Sequence, residues 1–65
     1  MTHSNYYLTV RRVQHHWQPV LISSRSPEAI WSAGWHYSDR DRAEQAAQAW
    51  AREERCRYVR PGDRP

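Results

Sequence analysis

Few side chains in this sequence are of the types that do chemistry, and their spacing limits what chemistry they could do. The metal-ligating types are His3, His15, His16, His36 and Cys56. Zinc sites are built from ligands paired at short fixed intervals. His15 and His16 are adjacent, so on an extended chain they point to opposite sides, and Cys56 has no histidine near it in sequence. No metal and no cofactor is expected. The acids Asp39, Asp41, Glu44, Glu53 and Glu54 fall in one stretch, where helix capping and solvation account for them. There is no glycine-rich phosphate loop, no nucleophile elbow and no HExxH pair. A chain of 65 residues also has little room for a dry, concave pocket. No catalytic residue is assigned, no small-molecule substrate is expected, and the reading is non-enzymatic.

What remains is binding chemistry. Arg11, Arg12, His15, His16 and Arg25 are interleaved with Tyr6, Tyr7 and Trp17. Arginine forks onto carboxylates and phosphates and stacks on rings, and with aromatic residues on a sheet it can grip phosphates and stack bases. The concentration is modest: residues 1–37 hold three arginines against one acid, well short of a basic stripe. All ten basic residues are arginine and the net charge is +3. A GC-rich bacterial or phage genome gives such a composition without any functional cause.

The elements that would position these residues follow from periodicity. Residues 6–13, Tyr-Tyr-Leu-Thr-Val-Arg-Arg-Val, suit a pleated strand. One face carries Tyr6, Leu8, Val10 and Arg12, the other Tyr7, Thr9, Arg11 and Val13. After the polar break Gln14-His15-His16, residues 17–23 form a hairpin partner, with Pro19 expected near its start or on an edge because it lacks an N–H. Residues 24–28 are a turn. Beyond it two readings stand: one strand over 30–37, which is preferred, or a helical turn over 27–31 begun by Ser26-Pro27-Glu28 and followed by a strand at Trp35-His36-Tyr37. A helix over 39–54 is capped by Ser38 and buries the stripe Ala43, Ala46, Ala47, Trp50 and Ala51, with Trp50 as its one large anchor. Cys56 to Val59 is a candidate last strand, with Cys56 and Tyr58 on one face.

The fold class is therefore α+β: a three- or four-stranded antiparallel sheet with one amphipathic helix packed on one face, in the order β-β-β-α with an optional short final strand. The chain forms one domain over 1–65, with frayed tails at 1–5 and 60–65. A single cysteine cannot close an internal disulfide. It fits a reducing compartment, and with no signal peptide or membrane span read in the chain, a cytoplasmic location is expected.

The junction Gly34-Trp35-His36-Tyr37-Ser38, leading into Asp41-Arg42-Ala43-Glu44 and the alanine run, resembles the amino-terminal arm-type DNA-binding domains of phage integrases. The resemblance spans residues 6–54. It implies a sheet that enters the major groove, with Arg11, Arg12 and Arg25 standing where that family has a basic face. The family's lysines have no counterpart here.

One alanine-lined helix cannot cover both faces of a sheet this rich in tyrosine, tryptophan and aliphatic residues. The apolar surplus points to an interface on the open face or an edge strand. The leading expectation is a small bacterial or phage accessory module that binds protein. It would act as a homodimer or on a host complex, an inhibitor of a defence system such as CRISPR being one example. The alternative is nucleic-acid binding by the sheet. The candidate binding residues are Tyr6, Tyr7, Arg11, Arg12, Trp17, Arg25, Trp31 and Trp35. No membrane contact is expected.

Overall fold

The computed structural model describes residues 5–26 and 30–63. Four strands and one helix follow in the order β1 (Tyr6–Val13), β2 (His16–Ser23), β3 (Ile30–Ser32), α1 (Arg40–Glu54) and β4 (Arg57–Tyr58). The sheet order is β3-β2-β1-β4. The α+β class with one packed helix is as the periodicity indicates, but the sheet is mixed rather than antiparallel. β4 runs parallel to β1, pairing Tyr7 with Arg57 and Leu8 with Tyr58. The helix carries the chain back along the sheet, so the segment after it enters beside β1 in the same direction.

The hairpin β1–β2 is paired along its whole length, from Tyr6 with Ser23 to Val13 with His16. Gln14 takes a left-handed φ of 58° in the short turn, a conformation that costs most L-residues energy. The ladder continues past the strand end, because Ser24 N–H donates to the Asn5 carbonyl at 2.7 Å. Asn5 is thus tied to the sheet rather than frayed; residues 1–4, 64 and 65 lie outside the described part. At the other end Asp63 N–H donates to the Arg60 carbonyl at 3.0 Å, closing a turn.

Pro19 sits inside a central strand, contrary to the expectation of an edge or strand-start position, and its geometry explains why β3 is short. Trp17 and Tyr37 exchange both backbone hydrogen bonds, at 2.6 and 2.8 Å, so the N–H of Trp17 faces the β3 side. Two residues on, the Pro19 nitrogen faces the same side and has no hydrogen to give. β3 stops at Ser32, opposite Val20, and pairing resumes only at Tyr37, opposite Trp17. Five steps on one strand match three on the other, so two extra residues bulge out, with Gly34 at φ 86° taking the bend. The single strand over 30–37 is corrected to a three-residue strand, a bulge and one isolated bridge. In the helical-turn reading, Ile30 and Trp31 are strand residues, and 27–29 fall outside the described residues.

The helix begins one residue later than the capping serine implied. Asp39 is the N-cap, and its Oδ1 accepts from Asp41 N–H at 3.0 Å. Ala43, Ala47 and Ala51 are its buried residues. Their small side chains let the helix approach the sheet closely, against Val10 with Trp17, Tyr37 and Tyr58 around it. Trp50 is not the anchor into the sheet; it is half-buried on the helix flank. At the far end Arg55 takes a left-handed φ of 57°, and Cys56 N–H donates back to the Ala51 carbonyl at 3.0 Å. That reversal is normally made by glycine.

A helix is about 10 Å across and strands are spaced about 4.8 Å apart, so one helix cannot cover a four-stranded sheet. α1 lies over β1, β2 and β4 and does not reach β3. The core is Leu8, Val10, Pro19, Ala43, Ala47 and Ala51 on the helix side, with Val20 fully buried on the other face between Thr9 and Ser32, and Val59 buried just past β4. No helix among the described residues is long and apolar enough to cross a membrane.

Candidate functional site

Because the helix stops short of β3, the helix-side residues of that strand are left uncovered. Trp31 pairs with Leu21, and Tyr6 lies one strand further on, opposite Ser23. The two rings meet edge to face with centroids 5.7 Å apart, a favoured aromatic geometry. The left-handed turn at Arg55 brings Cys56 in beside them. Tyr6, Leu21, Trp31, Glu54 and Cys56 together line a recess of about 270 Å³. Glu54 is the charged member of this set, and its Oε2 accepts from Trp50 Nε1 at 3.4 Å. Burial pushes the Cys56 thiol up, and the Glu54 carboxylate pushes it further. The thiol is therefore held in its neutral, poorly nucleophilic form.

A second recess of about 210 Å³ lies against the helix, lined by Trp35, Ala46, Ala49, Trp50 and Glu53. Its aromatic pair is again edge to face, Trp35 on Trp50 at 6.5 Å. Both recesses thus combine a T-shaped aromatic pair with one carboxylate, supplied by the consecutive residues Glu53 and Glu54 at the helix C-terminus. Trp50 belongs to the second recess and hydrogen-bonds the acid of the first.

The uncovered face is different. Alternation and register place Tyr7, Thr9, Arg11 and Val13, then Ile22, Val20, Gln18 and His16, on it. Arg57, opposite Tyr7, joins them. Arg11 donates from Nε and Nη2 to Gln18 Oε1, both at 3.3 Å. With its oxygen so engaged, Gln18 turns Nε2 toward His36 Nε2 at 3.3 Å, and the His16 and His36 rings lie 6.1 Å apart. None of the strand residues on this face is acidic.

The residues singled out in sequence are therefore dispersed. Tyr6 and Trp31 come together; Trp35 joins Trp50 instead. Tyr7 and Arg11 lie on the uncovered face. Arg12 points the other way and donates to the Gln14 carbonyl at 3.2 Å. Arg25 is exposed in the turn after β2, its N–H bonded to Ser23 Oγ at 3.3 Å. Trp17 is a structural residue, packed against the core with the Arg40 guanidinium 5.4 Å from its ring centre. The sequence reading missed Leu21, Glu54, Cys56, Gln18 and His36, which are far apart in the chain and carry no shared spacing. Among the described residues no cluster of three or more His, Cys, Asp or Glu side chains could hold a metal ion.

Compared with known proteins, the chain matches no family, no curated sequence and no solved structure.

Proposed function

We propose that this protein is a non-enzymatic binding module that contacts a protein partner through the Tyr6–Trp31 recess and the β3 edge. The observation that carries this reading is where the large apolar residues are left exposed. Tyr6 is 39% exposed, Ile30 39%, Trp31 48% and Trp35 54%; Tyr6 and Trp31 meet on the helix side of the sheet, while Ile30, opposite Ile22, faces the other way on the same edge strand. Exposed, rigid aromatic residues beside a shallow concavity are the usual anchors of protein interfaces. Of these residues Tyr6, Trp31 and Trp35 flank the helix, and Ile30 lies on the other face. The neutral Cys56 thiol further favours contact over covalent chemistry.

The test is affinity capture from cells of GC-rich bacteria and their phages with three baits: wild type, Trp31→Ala and Arg11→Ala. A protein retained by wild type and Arg11→Ala, lost from Trp31→Ala and tolerant of added salt supports the reading. Retention by Trp31→Ala refutes it. Sedimentation of the pure protein separates a partner from a second copy.

One observation favours nucleic-acid binding as a second reading. The uncovered face carries Arg11, Arg57, His16 and His36 with no acid among its strand residues, a distribution that suits a phosphate backbone. The likeness to arm-type domains would use this face, although Arg12 lies on the other side. Duplex retention that falls steeply with salt and is lost in Arg11→Ala would favour it over protein contact.

A further inference from the structure

We infer that the Tyr6–Trp31 recess takes an arginine side chain presented by the partner protein. The inference rests on the binding reading above and adds the chemistry of the ligand. Four of the five lining residues, Tyr6, Leu21, Trp31 and Cys56, offer apolar or aromatic surface, and the fifth is the carboxylate of Glu54. An apolar floor calls for an aliphatic or planar group, and a carboxylate at the wall calls for a cation. An arginine side chain satisfies both: its methylene stem lies on apolar surface, its guanidinium stacks on a ring, and its fork meets a carboxylate.

Three features make the charge effective. Among the described residues Glu54 has no cation as a partner; its Oε2 accepts from the neutral Trp50 indole. Its field reaches the recess, because it raises the Cys56 thiol that lines the same cavity. It also stands at the last residue of the helix, where the backbone dipole is negative and favours cations. The volume, about 270 Å³, lies just under the ~300–1,000 Å³ of small-molecule pockets, which suits one long side chain better than a cofactor-sized ligand. The Trp35–Trp50–Glu53 recess repeats the arrangement, so aromatic pair plus acid is not peculiar to one position.

N-acetyl-arginine amide and its neutral isostere N-acetyl-citrulline amide, titrated into the full chain at low salt, test this. The readouts are the Trp31 indole N–H shift and protection of Cys56 from iodoacetamide. The arginine compound should bind about tenfold more tightly, the combined effect of an exposed cation–π contact and an exposed ion pair. Glu54→Gln should reduce that preference to about threefold, by removing the ion pair and leaving the cation–π contact. Trp31→Ala should abolish the protection of Cys56, with the circular dichroism spectrum confirming that it remains folded. Equal binding of the two compounds, or a preference undiminished by Glu54→Gln, overturns the inference. Capture that still depends on Trp31 would in that case leave the protein-contact reading standing with an apolar anchor. A dimer that N-acetyl-arginine amide dissociates would assign the recess to a second copy and overturn the assignment to a partner.

Discussion

The two faces of the sheet do opposite things with similar residues. On the helix side, Leu8 and Val10 disappear under alanines, and the aromatic residues beyond the helix edge stay half in water with an acid beside each pair. On the other face the polar residues hold one another, Arg11 to Gln18 to His36, and of the β1 and β2 residues there Val20 and Gln18 are buried. The helix side thus combines the core with the exposed apolar surface. The lesson is that the width of a helix, rather than the hydrophobicity of the strands, decides where greasy surface remains.

The largest effect that bears on this comparison is in the core. Leu8→Ala should cost about 3 kcal/mol by cavity formation, enough to unfold much of a domain this small. Val20→Ala, on the face without a helix, should cost closer to about 2 kcal/mol. Chemical denaturation of both variants checks the order, and a reversed order would break the distinction between the faces. Next in size are two helix-side polar features. The Tyr58 hydroxyl is buried and makes no well-formed hydrogen bond among the described residues, its polar neighbour being the Glu44 carboxylate, so Tyr58→Phe should change stability by no more than about 1 kcal/mol. Burial, and then the nearby Glu44 carboxylate, push the Tyr58 phenol up from 10.0 to about 12. The unfolded chain therefore loses this proton first as pH rises. Stability should be intact below pH 10 and decline between 10 and about 12. The decline should be weaker in Tyr58→Phe, measured by alkaline unfolding.

Smaller effects sharpen the picture at the joints. Arg55→Gly should stabilise by about 1 kcal/mol, because glycine adopts the left-handed cap without strain, and a thermal melt reads it. Arg11→Ala on the uncovered face should change stability by no more than about 0.5 kcal/mol. A larger loss would mean that the polar network there is structural.

Much of the framework was legible in the chain. Alternation and β-branched content located β1 and β2, and the alanine stripe located the helix to within a residue of its start. Three things were not legible. The length of β3 depends on which side of β2 the Pro19 nitrogen faces, and only the register reveals that. The parallel pairing of β4 is set by where the helix delivers the chain. The recess joins residues 6, 21, 31, 54 and 56 through a left-handed turn on an arginine, where glycine would have been the signal. Arg11 and Arg12 were placed on opposite faces by alternation, but the reading of a joint basic patch set that aside.

The brevity of β3 has one more consequence. Among the described residues β3 is a rim of three, which offers few free amide and carbonyl groups for another sheet to zip onto. The molecule can therefore hold tryptophan at its border without inviting fibre growth. Whatever docks there must be chosen by its side chains, since the backbone provides almost nothing to hold.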